Sequence, residues 1–327
     1  MNTDQGNSVA HHGMEETGLI VIDACVDEGL CKELASLHDI LGSRGYRPNT
    51  EATQLAHVLA SGHPHLVLPL LKVRELITSR VQDAFAHTNK FYFLEFTGLL
   101  TWLPGSEIGW HGDSNRPYLR QRKLSAVLYL NTQGEGFGGG TFRFQDGPSI
   151  KPKTGTLIAY PSDQIHCVDR VESGRRYTLA FWFTDDPAFS EDESLLSRFA
   201  TGLSRKDCIP DEIYATESGK DMRLEKLVSL GFDHEKSGED HVLICKESGA
   251  RASCSNLTEA LHLALLWCRW SSSSQQSLSL QDTKQRLVSH NEDLYQCVTS
   301  CWKQSMDLGE LYVPDKYYNT KLFPDLA

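Results

Sequence analysis

The sequence predicts an α+β protein in which an antiparallel β sandwich or barrel lies between two helical regions. Three observations support this. From Phe91 to Phe183 short β-type runs alternate with turn residues, as in an all-β core. Before that section, and again after Asp185-Asp186-Pro187, apolar residues recur at three- and four-residue steps, the spacing of a helix with one buried face. Charge divides the chain in the same places. Residues 91–183 hold ten Lys/Arg and eight Asp/Glu, a net of +2, so the rest of a chain with formal charge −11 carries −13.

Taken in order, residues 1–17 show no periodicity and are expected to form a mobile tail. Gly18 to Ala24 (GLIVIDA) predicts a short strand. Leu30, Leu34, Leu37 and Leu41 predict a helix within Cys25 to Gly42, and Leu70, Val73, Ile77 and Val81 predict a second one from Pro69 to about Phe85. Together 18–90 read as a helical support region. Within 91–186 the strands are FYFLEFTGLLTWL, LSAVLYLN, GTFRFQ, GTLIAYP and RYTLAFWF, broken at Pro104-Gly105, Asn131, Gly138-Gly139-Gly140, Asp146-Gly147-Pro148 and Pro161-Ser162. Residues 187–327 read as mostly helical, with helices at Glu193–Phe199, Met222–Leu230 and Leu257–Trp270. Asn256 and Glu259 offer a capping box for the last of these. Ser271 to Gln275 reads as a linker. Leu280, Leu287, Leu294 and Cys301 then repeat every seven residues, with Val288, Tyr295, Val298 and Trp302 widening the stripe of a packed helix, and Tyr312 to Ala327 reads as an irregular tail.

Composition excludes several classes. Apolar runs such as Leu66–Leu71 and Ala260–Trp267 fall short of the roughly 20 residues a membrane span needs. The polar start, with no apolar segment behind a basic one, argues against a secretory signal. Nine scattered cysteines, an odd number, read as reduced thiols of the cytoplasm or nucleus. The acidic balance argues against a nucleic-acid partner. Gly134 to Gly139 fits G-x-G-x-x-G, yet it leads into the strand TFRF and not into a helix that could hold a pyrophosphate, so a hairpin is expected. Cys297 and Cys301, one helical turn apart, lack a further Cys or His pair and read as buried helical thiols.

The chemistry-bearing residues lie in the β section. His111 and Asp113 are two apart, so an extended segment points both side chains the same way. His166, in the strand after Pro161-Ser162, offers a third ligand. Two histidines and one carboxylate with open positions form the facial triad suited to non-haem Fe(II). Arg176 opens the strand RYTLAFWF and shares a face with Thr178. An arginine inside a sheet needs an anionic partner, which a dicarboxylate would supply, with Thr178 and the Tyr129 hydroxyl as further donors. Trp110, Arg116 and Arg120 are candidates for a substrate entrance.

The segments LPGSEIGWHGD (103–113), RKLSAVLYLN (122–131), GGGTFRF (138–144), KPKTGTLIAYPSDQIHCVDRV (151–171) and GRRYTLAFWF (174–183) resemble, in order and spacing, the prolyl 4-hydroxylase-type catalytic domain of the Fe(II)/2-oxoglutarate dioxygenases. The resemblance covers under a third of the chain. It implies a double-stranded β-helix (jelly-roll) core, with N-terminal supporting helices and a helical C-terminal extension around it. It also implies His111, Asp113 and His166 as iron ligands, Arg176 on the 5-carboxylate of 2-oxoglutarate, and ascorbate as reductant. Many collagen-type members carry Lys where Arg176 stands, so a different branch is indicated. The implied reaction uses O2, releases succinate and CO2, and hydroxylates a protein or peptide side chain, prolyl or lysyl among them. Oxidative demethylation and a non-catalytic binding module are the alternatives. The full set of His111, Asp113, His166 and Arg176 argues against the latter.

Overall fold

The computed structural model describes residues 18–61, 63–201, 211–216, 218–238, 240–273, 279–313 and 322–323. The expected tail at 1–17 lies outside them. In chain order the elements are β1 (Ile20–Ile22), α1 (Glu28–Leu41), β2 (Ser43–Arg44), β3 (Thr50–Gln54), α2 (Leu55–Ala60), α3 (Leu68–Ala84), β4 (Phe93–Trp102), β5 (Ile108–His111), β6 (Arg122–Tyr129), β7 (Phe137–Gly139), β8 (Phe142–Phe144) and β9 (Ser149–Ile150). These are followed by β10 (Leu157–Pro161), β11 (His166–Val168), β12 (Val171–Gly174), β13 (Arg176–Thr184), α4 (Glu191–Thr201), α5 (Met222–Ser229), β14 (Phe232–Ser237), β15 (Asp240–Cys245), β16 (Arg251–Cys254), α6 (Leu257–Ser273) and α7 (Leu280–Leu308). The described chain divides into two compact units. One takes residues up to 32, with 47–50 and 73–191, and the other takes 33–46, 51–72 and the residues from 192 on. The expected support region at 18–90 is therefore shared between both.

The first unit is the β sandwich. Strands β1, β10, β6, β13 and β4 are antiparallel neighbours in that order, and a second sheet runs β5-β11-β8-β9. From β4 to β6 and again from β9 to β11 the chain crosses between the two sheets, as in a jelly roll, and β7 and β12 form a separate two-stranded pair. The inner faces meet in one core: Trp102, Tyr129, Ile158 and Tyr160 come from the larger sheet, and Ile108, Phe142, Phe144 and Val168 from the smaller. On the outer face of the larger sheet Leu99, Leu128, Leu179, Phe181 and Phe183 are fully buried, which explains why these strands read as near-continuous apolar runs. Arg74 of α3 reaches this face, donating to Thr97 Oγ1 (2.9 Å) and pairing with Glu191 (3.2 Å). The predicted stripe of α3 (Leu70, Val73, Ile77, Val81) and that of α1 (Leu30, Leu34, Leu37, Leu41) are buried throughout.

The second unit adds a small sheet to the expected helices. Besides α5, α6 and α7 it contains an antiparallel sheet β14-β15-β16. One face of that sheet, with Phe232, Leu243, Cys245, Ala252 and Cys254, is buried, and Phe232 meets Trp267 of α6 edge-on. β14 brings one of these residues, and β15 and β16 two each, too few for the two-residue period to stand out. The α6 cap is also shifted: Asn256 Oδ1 accepts from the Glu259 amide (2.9 Å), but the Glu259 carboxylate accepts from Ser255, one residue before the expected partner. Ser271 to Ser273 continue α6, so the linker expectation fails for them; residues 274–275 are not described. On α7 the heptad positions are buried together with Val298, whereas Val288 and Tyr295 are 52% and 46% exposed, so the apolar stripe is narrower than expected. Of the expected C-terminal tail, Val313, Leu322 and Phe323 are buried, and the Tyr312 amide donates to Ser305 Oγ (2.8 Å). No described helix is long and apolar enough to cross a membrane.

Candidate metal centre

The smaller sheet sets two imidazoles side by side. In the β5–β11 register His111 lies directly opposite His166, with ring centroids 4.4 Å apart. Each ring is fixed from behind: Nδ1 of His111 faces the Gly109 carbonyl (2.8 Å) and Nδ1 of His166 the Gln164 carbonyl (2.9 Å). Only an N–H can satisfy a carbonyl, so both Nδ1 atoms are donors and both Nε2 lone pairs face forward. Phe142 stacks on His166 at 4.9 Å and 12°.

Asp113 arrives by a different route from the expected strand alternation. β5 ends at His111, and the chain turns at Asp113-Ser114. The Asp113 amide donates to the Ser162 carbonyl (2.7 Å) in the loop after β10. A Cβ on Gly112 would stand 3.2 Å from the Asp163 carbonyl oxygen, so only a small residue lets the two loops approach this closely. Asp113 then places Oδ1 3.8 Å from His111 Nε2 and Oδ2 3.9 Å from His166 Nε2, and Tyr160 donates its hydroxyl to Oδ2 (3.3 Å). The three ligand atoms lie within 4.8 Å of one another, and this is the one metal-ligand cluster of three or more among the described residues. At ligand distances of about 2.0–2.2 Å a single ion would draw the three side chains slightly closer together. Burial lowers the pKa of His166, with Asp113 opposing the shift.

Deeper in the sandwich stands Arg176, 2% exposed, on the first residue of β13 opposite Trp102. Its Nε–H donates to the Gly140 carbonyl (3.0 Å), and its guanidinium lies 5.7 Å from the Trp102 ring centre and 5.5 Å from that of Tyr129. Among the described residues no carboxylate pairs with it. Burial pushes its pKa down. The Tyr129 hydroxyl is buried without a hydrogen-bond partner; burial raises its pKa, and the nearby guanidinium opposes that shift. Thr178, also buried, makes only a long contact to the Leu100 carbonyl (3.5 Å). A buried cation without an anion and a buried hydroxyl without an acceptor or donor form a socket fitting a carboxylate. The donor set therefore fits both parts of the expected pair, a hard divalent ion and a dicarboxylate.

The candidate entrance residues are all exposed. Trp110 is 55% exposed, which removes a core-packing role for it. Arg116 and Arg120 are exposed on the segment after Asp113. Sequence reasoning overlooked Tyr160, although a two-residue step from the inward Ile158 points to it. It also overlooked the half-buried Glu95–Arg122 pair (3.0 Å). Arg122 lies 3.7 Å over the Trp182 ring and reaches the Asp113 carbonyl at 3.5 Å. His234 of β14 and His241 of β15 share a hydrogen bond (2.8 Å).

Comparison with known proteins concentrates on the same stretch. Residues 97–184 match the family model described as the 2OG-Fe(II) oxygenase superfamily. A PKHD-type hydroxylase of Synechococcus sp. (strain CC9902) is 34% identical over 100 residues, 30% of this chain and 45% of that protein. Prolyl 3-hydroxylase 2 of Homo sapiens is 27% identical over 224 residues, 55% of this chain and 31% of that protein. Matches to these relatives thus span less than half of their length. The solved structure of a Pseudomonas putida prolyl-4-hydroxylase aligns with a TM-score of 0.42 at 18% identity, covering 53% of this chain and 95% of that one.

Proposed function

We propose that this protein, whose residues 97–184 belong to the 2OG-Fe(II) oxygenase superfamily, is an Fe(II)- and 2-oxoglutarate-dependent dioxygenase that hydroxylates a protein or peptide side chain, with prolyl and lysyl side chains as candidates. The observation that carries this reading is the convergence of His111, Asp113 and His166 in the same sandwich as a buried arginine that no carboxylate among the described residues neutralises. When bound, Fe(II) with 2-oxoglutarate supplies O2 activation coupled to release of succinate and CO2. The residues of the chain do the rest. The Gly109 and Gln164 carbonyls keep both imidazoles in the ligating tautomer, and Tyr160 orients the Asp113 carboxylate. Arg176, Tyr129 and Thr178 bind and orient the distal carboxylate of the co-substrate. Phe142, Phe144 and Tyr160 exclude water from the distal histidine. One of the similar proteins is named as a prolyl 3-hydroxylase, which supports a peptide substrate. Ascorbate is proposed as the reductant that keeps iron ferrous, and the scattered cysteines support a reducing compartment, cytoplasm or nucleus.

The purified protein with Fe(II) and ascorbate is expected to convert 2-oxoglutarate to succinate through slow uncoupled turnover, and His111→Ala and Asp113→Ala each to abolish it. Failure of the wild-type protein to bind Fe(II) and 2-oxoglutarate anaerobically would overturn the reading.

A further inference from the structure

Beside the distal histidine lies a cleft of about 390 Å3 whose lining includes Leu19, Phe144, Asp146, Pro148, Asp163 and Ile165. It contains none of the metal-ligating or carboxylate-binding side chains, so it is separate from the metal centre. It nonetheless adjoins that centre. Its wall Asp163-Gln164-Ile165 runs directly into His166, the Gln164 carbonyl holds the His166 ring, and the Phe144 ring lies 6.2 Å from it. Its volume falls in the range of sites that hold a ligand of several heavy atoms. The surface is of two kinds. Leu19, Phe144, Pro148 and Ile165 supply apolar walls, and Ile165 is 40% exposed despite its size. Asp146 and Asp163 add two exposed carboxylates, and among the described residues neither has a hydrogen-bond or ion-pair partner. No lysine or arginine lines the cleft to offset them.

Apolar walls topped by uncompensated negative charge complement a long aliphatic stem that ends in a cation. We propose that this cleft is a substrate subsite that takes a lysine or arginine side chain of a bound peptide. The inference rests on the oxygenase reading for its placement in a substrate complex, but its chemistry can be tested apart from that reading.

The test compares blocked peptides acetyl-Gly-Leu-X-Leu-Gly-amide, with X as arginine, lysine, citrulline or glutamate, by fluorescence anisotropy on the full chain loaded anaerobically with Fe(II) and 2-oxoglutarate. Citrulline keeps the arginine shape without its charge. Arginine and lysine peptides are expected to bind about five- to tenfold tighter than citrulline at low salt, the scale of two partly exposed ion pairs, and the gap should narrow at high salt. In Asp146→Asn/Asp163→Asn the ratio should fall to about one. Because the readout is a ratio, a variant that merely loosens the fold or the metal centre weakens both peptides alike and leaves the ratio high. A ratio near one in the wild-type protein, or a high ratio that survives in the double variant, overturns the subsite. So does saturable Ca2+ binding that is lost in the double variant without any peptide preference. Preference for arginine together with failure to bind Fe(II) and 2-oxoglutarate overturns the oxygenase reading alone.

Discussion

Arg176 and Tyr129 carry groups that weaken the fold and strengthen the site. A buried guanidinium without a carboxylate and a buried hydroxyl without a partner both cost stability in the free protein. Removing either should therefore separate folding from binding. Tyr129→Phe is expected to leave stability unchanged or raise it by up to about 1 kcal/mol in urea denaturation, while the KM for 2-oxoglutarate rises severalfold. Arg176→Gln should abolish measurable 2-oxoglutarate binding in an anaerobic titration yet retain Co(II) binding at the three ligands. Arg176→Lys should recover only part of the affinity, since an ammonium cannot meet a carboxylate in the two-pronged way a guanidinium does. A parallel loss of Co(II) and 2-oxoglutarate binding in Arg176→Gln would mean that the arginine only supports the fold.

At the scale of elements, Arg176 depends on the turn between β7 and β8. Gly140 sits at φ +67°, and a Cβ there would stand 2.8 Å from the Arg176 Cδ. Its carbonyl is also the acceptor for Arg176 Nε. Gly140→Ala is expected to weaken 2-oxoglutarate binding about tenfold and to cost about 1–2 kcal/mol through backbone strain, readable by titration and thermal unfolding. The same elements show how much was legible beforehand. The strands of the sandwich are visible because both of their faces are buried, and His111, His166 and Arg176 stand at their ends, with Asp113 in the turn after the first. Glu95 is invisible for a geometric reason: Trp182 pairs with Phe96 but Phe183 pairs with Leu94, so a bulge leaves Glu95 unpaired and breaks the alternation that would report its direction. The route of Asp113 is hidden too, because it depends on a hydrogen bond to Ser162, fifty residues away in sequence. The sheet β14-β15-β16 escapes because β14 is largely polar, β16 is short, and β15 presents the unbroken apolar run Val242 to Cys245, which shows no alternation.

At the scale of the whole molecule, the acidic excess outside the β section changes how the protein should respond to acid, and one residue of the second unit dominates a single step of that response. His262 of α6 is fully buried, packs edge-on against Phe323 at 5.3 Å, and has an Nε2 without a partner. Burial first, then the neighbouring His63 and His290, lower its pKa from 6.5 to about 3. The folded state thus holds His262 neutral, while the unfolded chain takes up a proton below its ordinary pKa of about 6.5. The stability this neutral imidazole leaves intact is fully present above pH 6.5 and is lost as pH falls from there toward 3, at about 1.4 kcal/mol per pH unit. Between pH 7 and pH 5 the loss comes to about 2 kcal/mol. Burial also lowers the pKa values of His57, His63 and His234, so the wild-type slope contains several contributions of the same sign. His262→Leu isolates one of them. Urea denaturation of the full chain at pH 7 and pH 5 should show a smaller loss in the variant by about that amount. Equal losses in the two proteins would mean that the second unit opens enough to protonate His262 while still folded.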